Sequence, residues 1–69
     1  MNKKTLHTYL LNDKVDQLTA YLVKDEGLSI EEAMKKVYTS RVYEMLQVPD
    51  NYLLSQSPGY VYEIMKEYN

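Results

Sequence analysis

The sequence has no cysteine, no tryptophan and no phenylalanine among its 69 residues. Without cysteine there is neither a disulfide nor a thiolate zinc site to staple a small fold, so helix packing or a partner subunit must hold it. The same absence fits a cytoplasmic location. There are two glycines and two prolines, so no glycine-rich phosphate loop can form. Apolar runs are at most four residues long, far short of a membrane span, and no apolar stretch follows Lys3 and Lys4 as a signal peptide requires. Arginine occurs once, at Arg41, and the formal net charge is −2 with a sequence pI near 5.2. Nucleic-acid-binding domains usually carry a basic stripe, which this composition lacks overall.

What is present is tyrosine. All eight aromatic residues are tyrosines: Tyr9, Tyr21, Tyr38, Tyr43, Tyr52, Tyr60, Tyr62 and Tyr68. Each hydroxyl needs water or a hydrogen-bond partner, so a core built with these rings stays close to its surface. A chain of this length forms one domain that buries only about 60% of its unfolded surface. Its stability should be about 3–10 kcal/mol.

Glycine and proline divide the chain. Leu11, Val15, Leu18 and Leu22 recur at spacings of four, three and four, which predicts a helix over about 3–25. Leu6 and Leu10 extend that apolar surface, and Asp13, Lys14, Asp16, Gln17 and Lys24 fall largely on other faces. Gly27 suits the left-handed position after the helix. Ser29-Ile30-Glu31-Glu32 is a capping box opening a second helix over 30–38, with Leu28 and Ala33 at the positions of a hydrophobic staple. Its apolar face is expected to hold Ile30, Ala33, Met34, Val37 and Tyr38. Glu31–Lys35 and Glu32–Lys36 are i,i+4 pairs in the favoured order.

Ser40 is placed to cap a third helix over 41–47, with Val42, Met45 and Leu46 on one face, and a break is expected at Thr39-Ser40. Pro49-Asp50-Asn51 is turn chemistry. Tyr52-Leu53-Leu54 is expected to be extended or a single turn, with Leu54 packed under the bundle. Ser57-Pro58 supplies an N-cap and first-turn proline for a last helix over 58–67, with Val61, Ile64, Met65 and Tyr68 inward. The fold class is therefore all-α: one domain, a small bundle of three to four helices.

No pattern points to catalysis, a cofactor or a metal. The one histidine, His7, has Asp13 and Asp16 as its nearest acids, at spacings unsuited to ligation, and is expected in a surface or capping role. Ser29, Ser40 and Ser57 are accounted for as caps, and none has a histidine placed beside it by sequence. The acids Asp25, Glu26, Glu31 and Glu32 read as a solvated corner. The chain is thus expected not to be an enzyme.

Two binding readings remain. Tyrosine and methionine supply adaptable contact surface, and tyrosine is enriched at protein interfaces. Residues two apart on a helix point about 200° from each other, so at least one of Tyr60 and Tyr62 should lie outside the core stripe. Tyr43, Tyr52, Tyr60 and Tyr62 form the candidate surface for a protein partner or a second copy. The alternative is a helix–turn–helix DNA-binding regulator using helices 30–38 and 41–47, with Lys35, Lys36 and Arg41 as its contacts. Against it, the position that usually carries the turn glycine is Val37, and the third helix offers one basic residue.

Several segments carry a family resemblance: Tyr9-Leu10-Leu11-Asn12-Asp13; Leu28-Ser29 with Glu32-Ala33; Tyr38-Thr39-Ser40 with Tyr43 and Leu46; and Leu54 with Gln56-Ser57-Pro58-Gly59-Tyr60-Val61-Tyr62. Together they resemble a family of short bacterial helical proteins of unknown function, often encoded near toxin–antitoxin-like or mobile loci. The resemblance implies a small cytoplasmic helical protein with a partner or antitoxin-like role. It supplies no catalytic residues.

Overall fold

The computed structural model describes residues 2–68 and consists of helices joined by short links. Helix α1 runs Lys3–Glu26, α2 Ile30–Tyr38, α3 Arg41–Leu46 and α4 Pro58–Glu67, with a single 3₁₀ turn over Tyr52–Ser55. The molecule measures 37 × 21 × 19 Å. A 24-residue helix is about 36 Å long, so α1 alone spans the long axis and the shorter elements pack along it.

Side-chain caps set the boundaries. Asn2, Ser29, Ser40, Asn51 and Ser57 each adopt extended backbone geometry and accept from the amide three residues on. Gly27 closes α1 at φ 66°, where any side chain would be strained. The capping box at α2 is complete: the Glu32 amide donates to Ser29 Oγ at 3.1 Å, and the Ser29 amide donates to Glu32 Oε1 at 3.0 Å. That backbone donor holds the Glu32 carboxyl below its usual range. Replacing Ser29 by alanine should cost about 1 kcal/mol. Thermal or urea unfolding reads that loss directly, and unchanged stability would mean that the cap does not hold α2.

One cluster forms the core: Val15, Leu18, Leu22, Ala33, Val37, Val42, Leu46, Leu53, Val61, Tyr62 and Met65. The α1 stripe is as the spacing predicts from Val15 onward, while Leu11 is half-buried and Leu6 is exposed. The break between α2 and α3 falls at Thr39-Ser40, and α3 ends at Leu46 rather than at 47.

Several expectations are corrected. Ile30 is 63% exposed, at a shallow surface hollow that it shares with Thr19, Ala20 and Val23 of α1. Tyr38 and Tyr68 sit in the last turns of their helices with their rings outward. The 52–55 segment is a single 3₁₀ turn in which Leu54 packs half-buried against the core as expected, and Leu53 is the fully buried residue. Lys14 was expected on a polar face but is 7% exposed. The link before α4 crosses over it, covering the aliphatic stem, and the ammonium donates to the Gln56 carbonyl at 2.6 Å. The i,i+4 ion pairs of α2 do not form. Glu32 is turned back to its cap, and Lys36 reaches instead to Glu26 at the end of α1, at 2.7 Å.

Candidate functional site

The four candidate tyrosines do not form one patch. Tyr62 is 3% exposed and belongs to the core. Its ring stacks on Tyr21 of α1 with centroids 4.9 Å apart and planes 12° from parallel. Its hydroxyl donates to Asp25 Oδ2 at 2.9 Å, and Lys66 Nζ lies 4.9 Å from the ring centroid. Burial first, and then the Asp25 carboxylate, push the phenol up to about 12. Gly59 lies one turn before, where a Cβ would stand 3.4 Å from the Tyr21 hydroxyl, so a small residue suits this contact. Tyr43 is half-buried, set edge-on against Tyr38 at 4.9 Å and 84°.

Tyr52 and Tyr60 do come together at the surface, 57% and 43% exposed. The Tyr60 hydroxyl is the first cause that raises the Tyr52 phenol above its ordinary value, and Tyr68 adds to it. Tyr68, whose spacing continues the α4 stripe and predicts it inward, stands instead at the C-cap of α4 and is exposed.

Tyr52 also lines a groove of about 420 Å³ between the first turns of α1 and the link to α4. Leu6, His7 and Leu10 form one wall, and Asn51, Tyr52 and Leu54 the other. The link is tied down by side chains. His7 Nε2–H donates to the Leu46 carbonyl at 3.0 Å, closing the end of α3. Asn51 Nδ2 donates to the carbonyls of Leu46 at 3.0 Å and Val48 at 2.6 Å, and its Oδ1 accepts from the Leu54 amide at 3.2 Å. Asp50 beside it takes φ 61°, a conformation that Asp tolerates better than most residues. The capping role expected of His7 is what the geometry shows. Asn51 had been read only as turn chemistry; an Asn three residues before Leu54, at the start of an apolar turn, was the available signal.

The candidates for nucleic-acid contact are spread along α2 and α3. Lys35 and Arg41 are exposed, and Lys36 is engaged with Glu26. Helix α3 has six residues, less than two turns with which to enter a groove.

The described residues include no group of three or more His, Cys, Asp or Glu side chains able to hold a metal ion. Among them, no helix is long and apolar enough to cross a membrane. No protein-family model, curated protein or solved structure matches the chain.

Proposed function

We propose that this chain acts by binding another protein, as a partner or antitoxin-like factor, and performs no chemistry of its own. The observation that supports this reading is the exposed Tyr52 phenol, with Tyr60 near it, at the wall of an apolar groove. Exposed phenols supply large, amphipathic contact area, the side-chain type that anchors interfaces. The groove walls of Leu6, Leu10 and Leu54 supply apolar surface next to them. Polar side chains of the kinds that carry chemistry have structural work: His7 and Asn51 hold the link, Asp25 receives Tyr62, and Glu26 pairs with Lys36.

The test replaces Tyr52 and Tyr60 by serine. Both side chains are largely outside the core, so the double variant should keep its helix content and most of its stability. Affinity capture from the native host should recover at least one protein with the wild type and lose it, by about tenfold or more, with the variant. Capture of the same proteins by both would remove the reading.

The DNA-binding alternative draws on the separation of α2 from α3 and on Ala33 buried between elements, as a helix–turn–helix requires. A salt-dependent DNA mobility shift that Arg41→Ala abolishes would favour it.

A further inference from the structure

The first three turns of α1 form an arm. From Lys3 to Asp13 no side chain is buried, and only His7, Leu10 and Leu11 are half-buried. Lys3, Leu6, Leu10 and Asp13 recur at spacings of three, four and three, which sets them on one side of the helix. That side faces away from the core stripe, and Lys3, Leu6 and Leu10 line the groove. Leu6 is 46% exposed, an apolar side chain at the centre of the row.

The row is self-complementary. A cation stands at one end, two leucines in the middle and a carboxylate at the other. Turned end to end against itself, it sets leucine on leucine and lysine on aspartate, and a two-fold axis repeats each contact. Turned parallel, it would set lysine on lysine and aspartate on aspartate. Lys3 and Asp13 are in no ion pair among the described residues, so neither charge is already committed. Asp50 also lines the groove, but Lys3 and Lys4 leave the start of α1 positive.

We infer that the occupant of this groove is a second copy of the chain, the two α1 arms pairing antiparallel so that Leu6 meets the partner's Leu10 and Lys3 meets the partner's Asp13. The inference names the partner for the binding surface proposed above and so rests on that reading. The arm from Lys3 to Asp13 is about 16 Å long. An interface of that length belongs to the small, transient class, so the dimer forms at micromolar rather than nanomolar concentration.

Sedimentation over about 10–500 µM at low salt tests the pairing. The wild type should move from monomer to dimer across this range. Leu6→Glu should abolish the dimer, since it buries two unpaired carboxylates in the seam. Lys3→Glu alone and Asp13→Lys alone should each weaken it several-fold to about thirtyfold by turning both end contacts repulsive. Mixed in equal amounts, those two variants should associate again, because each end then joins a lysine to an acid. All three substitutions are at exposed positions, and circular dichroism should show unchanged helix content. A wild type that stays monomeric, single variants that dimerise like the wild type, or a mixture that stays monomeric would each overturn the pairing. If the wild type stays monomeric yet captures a different protein through Tyr52 and Tyr60, the self-pairing fails while the binding reading stands.

Discussion

Replacing Leu18 by alanine is expected to remove about 2–5 kcal/mol of stability, the range for truncating a buried leucine. Leu18 is fully buried, one turn from Val15 and one from Leu22, in the stretch of α1 that enters the core. A chain of this length has about 3–10 kcal/mol in total. The loss therefore takes a large fraction of it, with a fall in melting temperature of about 10–30 °C. A core this small has few neighbouring side chains able to close the space left behind. Ile30→Ala is the matched control. Ile30 is 63% exposed, and its truncation should change stability by less than about 0.5 kcal/mol. Thermal unfolding of the two variants side by side separates a covered apolar position from an exposed one. Similar losses in both would mean that the core is not centred on α1 as described.

Tyr62→Ala is expected to be as damaging, at about 3–5 kcal/mol. It removes the ring stacked on Tyr21, the hydroxyl bound to Asp25 and the surface over which Lys66 lies. Tyr62→Phe separates these contributions, since the ring stays and only the hydroxyl goes. The phenolic proton also gives Tyr62 a signature in alkali. Its phenol is raised to about 12 in the fold, against the ordinary value near 10, by burial and by the Asp25 carboxylate. The fold thus favours the neutral phenol. The stability linked to it is fully present below pH 10 and is lost as pH rises from 10 through 12. Absorbance near 295 nm should show one tyrosine ionising last, and Tyr62→Phe should delete that step and flatten the loss of stability above pH 10. A titration in which the step survives the substitution would place the buried phenol elsewhere.

The helix boundaries were readable in the sequence because they depend on local chemistry. Ser29, Ser40 and Ser57 cap the helices they precede, and Gly27 takes the left-handed turn after α1. The α1 core stripe was readable for the same reason, since periodicity is a local property. What could not be read was which flank of a stripe the rest of the chain would cover. Lys14 is buried by a segment some forty residues later, through Gln56. Spacing required that one of Tyr60 and Tyr62 leave the stripe, but the choice was made by Tyr21 and Asp25 on another helix.

The candidate surface was readable in part on the same terms. Composition pointed to the tyrosines, and of those between 43 and 62 the structure leaves Tyr52 and Tyr60 exposed. Tyr62 lies in the core and Tyr43 pairs with Tyr38, while Tyr68 is exposed at the end of α4. The groove was not readable. It depends on His7, 39 residues before Leu46, and Asn51, five residues after it, converging on the Leu46 carbonyl.

The central claim is that the working face lies at Tyr52 and the groove beside it. A photo-crosslinking residue placed at position 52, and separately at position 30, tests it within the native host. Both positions are exposed, at 57% and 63%, but only Tyr52 lines the groove. The account predicts a discrete protein adduct from position 52 and none from position 30. Equal labelling at both positions, or an adduct from position 30 alone, would contradict it.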